Sequence, residues 1–138
     1  MAYTLLHADD AAWRRSNHMG ILNTDLGRQL SATTLGARLW RVEPGQSSTR
    51  HRHPAQHELY VLLEGTGRIR VDGELLTLTP LSAVLVEPRS VRQFFNDTGA
   101  DALWIAFGAP PEAVGELTPG QLADVYPDGP TAMPPELA

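Results

Sequence analysis

The chain has 138 residues, a length typical of one domain with a substantial apolar core. Its 11 basic and 16 acidic residues give a net charge of −5, and no basic patch of the kind found in general nucleic-acid binders is present. The chain has no cysteine, which excludes disulfides and thiolate chemistry. It also has no bilayer-length apolar run and no convincing secretory signal. We therefore expect a cytoplasmic protein that binds neither nucleic acid nor membranes.

Short β runs follow a poorly patterned first 30 residues. Between about residues 31 and 108, apolar and alternating segments are separated by Gly, Pro, Asn and Asp turn signals. The predicted strands span residues 37–43, 57–63, 68–71, 74–78, 83–87, 91–95 and 102–107. Asp72-Gly73, between two of these runs, is a strong signal for a two-residue hairpin. Many short strands without an intervening long helix predict an all-β antiparallel sandwich or barrel.

The composition changes after Gly108, where prolines become frequent. Thr118-Pro119 predicts a helix N-cap followed by proline in the first turn, and Pro127 ends this helix after Tyr126. We predict a single domain over residues 1–138, with a barrel core at about 31–108 and a C-terminal tail at 109–138.

The residues with the clearest chemical potential lie between Gly45 and Gly65. His51 and His53 are two positions apart, so in a strand they would share one face, and Glu58 follows five positions later. Two imidazoles and one carboxylate suit a divalent transition metal such as Fe, Mn, Co, Ni or Zn. An isolated His-x-His is usually only a polar surface feature, but the complete spacing favours a site. His57 neighbours Glu58 in the same run and is expected to point outward.

The spacing Gly45-x5-His51-x-His53-x4-Glu58-x6-Gly65 resembles the first conserved motif of the cupin superfamily. A more degraded second motif follows at Gly73, Pro80, Pro88, Phe94 and Asn96. The resemblance covers roughly residues 37–108. It implies a small single-domain cupin: an antiparallel double-stranded β-helix, or jelly-roll barrel, often dimeric, with a metal in its mouth. A homodimer is therefore expected.

The resemblance makes His51, His53 and Glu58 the metal ligands, but Arg92 occupies the position of the fourth, the motif-two histidine. A guanidinium keeps its proton at ordinary pH and cannot ligate a metal. Two interpretations remain open. Either three ligands hold the metal and Arg92 binds a substrate carboxylate or enolate, or Arg92 pairs with Glu58 and fills the metal position.

The substrate pocket is predicted from strand parity, which places Tyr60 on the face of Glu58 and Phe94 on the face of Arg92. Arg92, Tyr60 and Phe94 are thus expected to contact substrate, with Tyr60 also a candidate catalytic proton donor. The leading hypothesis is a small-molecule-binding cupin: a metal-dependent dioxygenase, isomerase or lyase acting on a small anionic substrate. The alternatives are a metal-free ligand-binding or sensing cupin anchored by Arg92, and a barrel with only a structural or partner-binding role.

Overall fold

The computed structural model describes residues 2–112 and 116–138. Strands dominate this part of the chain, and they are β1 (Arg14–Arg15), β2 (Leu22–Asp25), β3 (Gly36–Val42), β4 (His57–Glu64), β5 (Gly67–Val71), β6 (Glu74–Leu78), β7 (Ala83–Val86), β8 (Arg92–Phe95) and β9 (Ala102–Ala109). The helical elements are short, and they are α1 (Leu26–Gln29), α2 (Pro119–Val125) and the 3₁₀ turns Ala8–Asp10 and Pro135–Leu137. The described residues contain no helix long and apolar enough to cross a membrane.

The strands form two antiparallel sheets. The larger has the order β1-β2-β3-β9-β4-β7, and the smaller has the order β6-β5-β8. Sequence neighbours β4 and β5 lie in different sheets, so the chain passes back and forth between the two layers. This arrangement confirms the predicted antiparallel double-stranded β-helix.

Local sequence signals account for several turns and caps. Asp72 and Gly73 both take positive φ, 48° and 85°, which is the backbone that a two-residue hairpin needs between β5 and β6. The Thr118 side chain caps α2 by accepting a hydrogen bond from the Gln121 backbone N–H. In return, the Thr118 backbone N–H donates to the side-chain oxygen of Gln121. Each predicted strand is present within two residues of its expected ends.

The core lies between the two sheets and is built around three aromatic rings. Tyr60 contacts Phe94 and Trp104 with ring centroids 5.9 and 6.2 Å apart, in edge-to-face geometry. Packing is tight beside the Trp104 ring, because a Cβ added to Gly67 would lie 2.7 Å from it. The aromatic cluster thus fills the barrel behind Glu58, which lies two residues before Tyr60 on β4.

The C-terminal segment returns over the loop between β3 and β4. Arg52 donates its backbone N–H to Val125 O at 3.0 Å and its Nε–H to Asp124 O at 2.6 Å. Arg50 forms an ion pair with Asp128 at 2.7 Å. The predicted tail at 109–138 therefore packs against the barrel, although its residues 113–115 lie outside the described part.

Candidate metal centre

The three predicted ligands come together although they do not lie on one regular strand. Glu58 belongs to β4, whereas His51 and His53 lie in the preceding loop. Two backbone hydrogen bonds with Arg92, of 3.0 and 2.8 Å, fix the position of His51. One ligand atom from each of the three side chains lies within 4.8 Å of the others. They form a compact group with the size and composition of a transition-metal site.

His51 is held in a form that can ligate a metal. Its Nδ1 lies 3.0 Å from the carbonyl oxygen of Thr49, which only accepts, and 3.1 Å from the Thr49 hydroxyl, which can accept or donate. The carbonyl contact therefore favours the proton on Nδ1. Its Nε2 is then left with a free lone pair. Burial is the largest influence on His51 and lowers its pKa from 6.5 to about 4, so the ring is neutral at pH 7.

His53 lies between two carboxylates. Its Nδ1 is 3.0 Å from Glu112 Oε2, and its Nε2 is 3.4 Å from Glu58 Oε1. Burial alone would lower the pKa of His53, but the hydrogen bonds and charges of Glu58 and Glu112 outweigh burial and raise it. Without a metal, His53 Nε2 faces the Glu58 carboxylate, and a metal ion would bind between these two groups.

Glu58 is ionised and held in place from two sides. Burial would raise its pKa, but His53, His51 and the Tyr60 hydroxyl stabilise the charged form and lower the pKa from 4.5 to about 2. Tyr60 donates its hydroxyl hydrogen to Glu58 Oε1. Burial and the neighbouring Glu58 charge raise the pKa of Tyr60 well above 10, so this phenol keeps its proton.

Arg92 is fully buried, at 0% exposure, and its guanidinium is only partly satisfied. Its Nη2 donates to the backbone oxygen of Glu87 at 3.3 Å, whereas Nε and Nη1 have no partner among the described residues. Within that part of the chain no carboxylate lies within ion-pairing distance of Arg92, so the ion pair with Glu58 that the second interpretation requires is not formed. Arg92 shares its strand face with Phe94, which packs in the aromatic core, so the guanidinium points into the barrel.

The remaining predicted residues occupy different environments. Phe94 is 2% exposed and packs against Tyr60 and Trp40, so a role in contacting substrate stays a prediction. His57 is exposed, as its strand parity predicts, and lies on the outer face of the larger sheet.

Glu112 is the residue of this centre that sequence reasoning did not identify. It lies 59 positions from His53, in the proline-rich tail, and no local motif or spacing connects the two. Only the return of the chain after β9 brings its carboxylate to the imidazole.

The donor set fits a transition metal on chemical grounds. His51 and His53 each have Nδ1 occupied by an oxygen partner, which leaves Nε2 for the metal, and Glu58 adds an ionised carboxylate. The metal ligands would thus be His51, His53 and Glu58, with Fe, Mn, Co, Ni and Zn all compatible.

Solved structures with similar folds include several cupins. A sugar phosphate isomerase of the cupin superfamily from Silicibacter pomeroyi DSS-3 is 26% identical, with a TM-score of 0.71 over 78% of this chain and 76% of that one. KdgF from a Halomonas species is 16% identical, with a TM-score of 0.65 over 81% and 96% of the two chains. A cupin from Bacteroides fragilis is 18% identical, with a TM-score of 0.67 over 86% and 92%. The last two likenesses concern the fold alone.

A search of the curated proteins found no match. The family model described as the cupin domain matches residues 38–108, just over half of the chain. This range includes His51, His53, Glu58 and Arg92, and it agrees with the strand topology. The chain therefore belongs to the cupin family.

Proposed function

We propose that this protein is a metal-dependent enzyme of the isomerase or lyase type that acts on a small anionic molecule. The observation that carries the proposal is the buried Arg92 guanidinium next to a three-donor metal set. Two of its nitrogens have no partner among the residues that the structure describes. Of the reaction types expected from the sequence, isomerisation is favoured by the 26% identity to a sugar phosphate isomerase. Sugar phosphates are accordingly the first substrate class to test.

The charges of the site support an anionic substrate. Glu58 and Glu112 contribute two negative charges, whereas Arg92 and a divalent metal contribute three positive charges. His51 is neutral, and His53 must also be neutral when it ligates a metal. The loaded centre thus carries one uncompensated positive charge in a buried setting, which a phosphate or carboxylate of the substrate would neutralise.

Each side chain has a role in this proposal. The metal, when bound, would supply Lewis-acid polarisation of a substrate oxygen. Arg92 binds and orients the anionic group, and it stabilises negative charge that develops during the reaction. Tyr60, which keeps its proton, is the candidate proton donor, and its hydrogen bond orients Glu58. Phe94 closes the apolar wall behind the substrate.

Metal analysis tests whether the three proposed ligands bind a metal. Protein purified without chelator is expected to contain about one transition metal per chain, and His51→Ala should lose it because one of three donors is removed. Arg92→His, which restores a fourth donor, should bind the metal more tightly. A metal-free wild type that gains metal only in Arg92→His would contradict the three-ligand centre.

Hydrogen exchange tests the reaction type. An isomerase or lyase that forms an enolate should incorporate solvent deuterium at the carbon next to a substrate carbonyl, which NMR detects for each member of a sugar phosphate panel. Arg92→Met should abolish exchange because the anionic group loses its partner. If no phosphorylated or carboxylated sugar exchanges or is converted, the proposed reaction type is wrong.

A metal-free binding or sensing module is the second candidate, favoured by the pair between His53 Nε2 and Glu58 Oε1 at 3.4 Å. This pair satisfies both groups without a metal, and Arg92 would then be the main anchor of an acidic ligand. Thermal-shift measurements on chelator-treated protein distinguish the two. Stabilisation by small acids without added metal supports the module, whereas a strict requirement for metal contradicts it.

We also propose that the protein is a homodimer that uses the outer face of the larger sheet. A groove of about 280 Å³ on this face is lined mainly by apolar side chains, among them Leu35, Leu85 and Phe107. Leu85 is 60% exposed and Phe107 37%, and such contiguous apolar surface is typical of contact sites. Light scattering should show a dimer that Leu85→Glu dissociates, whereas Leu81→Glu, at a turn residue that is 80% exposed, should not. A monomeric wild type would contradict the proposal.

A further inference from the structure

The two oxygens of Glu112 have different partners. Oε1 accepts two backbone hydrogen bonds, from Ala55 N at 3.1 Å and from Gln56 N at 2.9 Å. Oε2 lies 3.0 Å from His53 Nδ1. One carboxylate therefore fixes both the loop after His53 and the orientation of the imidazole itself.

The surroundings of this carboxylate suit an acceptor at both oxygens. Two backbone N–H groups converge on Oε1, and a ring nitrogen of His53 faces Oε2. An ionised carboxylate only accepts hydrogen bonds. His53 Nδ1 lies 3.0 Å from Glu112 Oε2, whereas Nε2 lies 3.4 Å from Glu58 Oε1. The shorter contact favours the hydrogen of the neutral ring on Nδ1 and leaves the lone pair on Nε2.

We propose that Glu112 is a positioning residue for the metal centre: it selects the Nδ1–H tautomer of His53 and so presents Nε2 to the metal. This inference rests on the metal site proposed above. A carboxylate that holds the second nitrogen of a metal-bound histidine fixes the ring and increases its basicity, and its loss typically weakens metal binding about 10–100-fold. Glu112 would act through His53 without touching metal or substrate.

The asymmetric contacts of Glu112 separate the tautomer effect from a purely structural effect. In Glu112→Gln the two backbone N–H donors of Ala55 and Gln56 require an oxygen, so the amide oxygen takes the Oε1 position. The amide NH₂ then faces His53 Nδ1, which has to accept, and the ring proton moves to Nε2. Glutamine therefore preserves the loop anchor but enforces the tautomer that cannot bind metal.

The tautomer role of Glu112 is tested by the zinc affinity of chelator-treated protein, measured by competition with a chromophoric chelator. Glu112→Gln should bind zinc about 10–100-fold more weakly than wild type. Glu112→Ala removes the loop anchor as well as the carboxylate at His53, so it measures the two effects together. Glu116→Gln is the matched control: it removes the same charge from an exposed residue nearby and should bind zinc like wild type.

Nitrogen-15 NMR of the histidine rings provides a readout that does not depend on metal binding. In metal-free protein at alkaline pH, where the His53 ring is neutral, wild type should show the Nδ1–H form. Glu112→Gln should show the Nε2–H form, and the tautomer of His51 should stay unchanged.

The outcomes discriminate between the two proposals. Equal zinc affinity in wild type and Glu112→Gln would overturn the tautomer role. An unchanged His53 tautomer in Glu112→Gln would do the same. A wild type that binds no zinc, iron, manganese, cobalt or nickel would instead contradict the metal site, while the tautomer spectra would still decide the role of Glu112.

Discussion

Replacing Arg92 with methionine should make the metal-free protein more stable while it removes anion binding. The guanidinium is fully buried, and its Nε and Nη1 lack partners among the described residues. Each unsatisfied buried donor costs about 1–3 kcal/mol, so the two together cost at least about 2 kcal/mol. The variant also loses the single bond to the Glu87 carbonyl, about 1 kcal/mol, and gains apolar packing in exchange.

We therefore expect Arg92→Met to increase the free energy of unfolding by about 2 kcal/mol. For a chain of this size this corresponds to an increase in melting temperature of about 6 °C. Urea denaturation of chelator-treated protein measures the effect, and Arg92→Lys, which keeps the charge, should show no such gain. Anions such as phosphate should stabilise metal-loaded wild type and leave the metal-loaded methionine variant unaffected. A destabilised Arg92→Met would refute the reasoning, because it would mean that the guanidinium is satisfied in the free protein.

Three further predictions concern stability. Tyr60→Phe should lower the free energy of unfolding by about 1.5–3 kcal/mol, because it removes a hydrogen bond to an ionised carboxylate, and urea denaturation measures this; an unchanged midpoint would contradict that bond. Gly67→Ala should cost about 1–3 kcal/mol, because the new Cβ would lie 2.7 Å from the Trp104 ring, whereas Gly99→Ala, with nothing within 4 Å, should be nearly neutral in the same assay. Acidification from pH 6.5 to 4 should destabilise metal-free protein. Over this range His51 becomes protonated in the unfolded chain, whereas in the folded protein its pKa of about 4 keeps it neutral. The free energy of unfolding should therefore fall by at most about 3 kcal/mol, and by less where solvent contacts the ring. His51→Gln should lack this component, and an identical pH dependence in that variant would contradict the assignment.

The centre shows which contacts local spacing can predict. His51, His53 and Glu58 lie within eight residues of sequence, so one motif and the parity of one strand were enough to identify the set. The expectation of a shared strand face was too simple, because the two histidines lie in a loop whose course is fixed by backbone bonds to Arg92 and by Glu112. The side chains converge because the loop crosses the mouth of the barrel.

The contacts that the C-terminal tail makes with the barrel could not be predicted from local spacing. Thr118 and Pro119 indicated α2 correctly, since capping depends on residues three apart. Where that helix docks depends on Asp124 meeting Arg52 and Arg89 across the fold, and no periodicity encodes such a pairing. The same holds for Glu112, whose partner lies 59 positions earlier.

The amino-acid sequence by itself thus determined the strands, the hairpin at Asp72-Gly73 and the three-donor motif, because each depends on neighbours within a few residues. It also determined that Arg92 cannot be a ligand, because that follows from the chemistry of the guanidinium. Only the tertiary structure decided that Arg92 lies buried without a carboxylate partner in the described part of the chain, and that Glu112 holds the second nitrogen of His53. Both depend on which distant segments meet at the barrel mouth, and that is set by the packing of the two sheets and the return of the C-terminal segment.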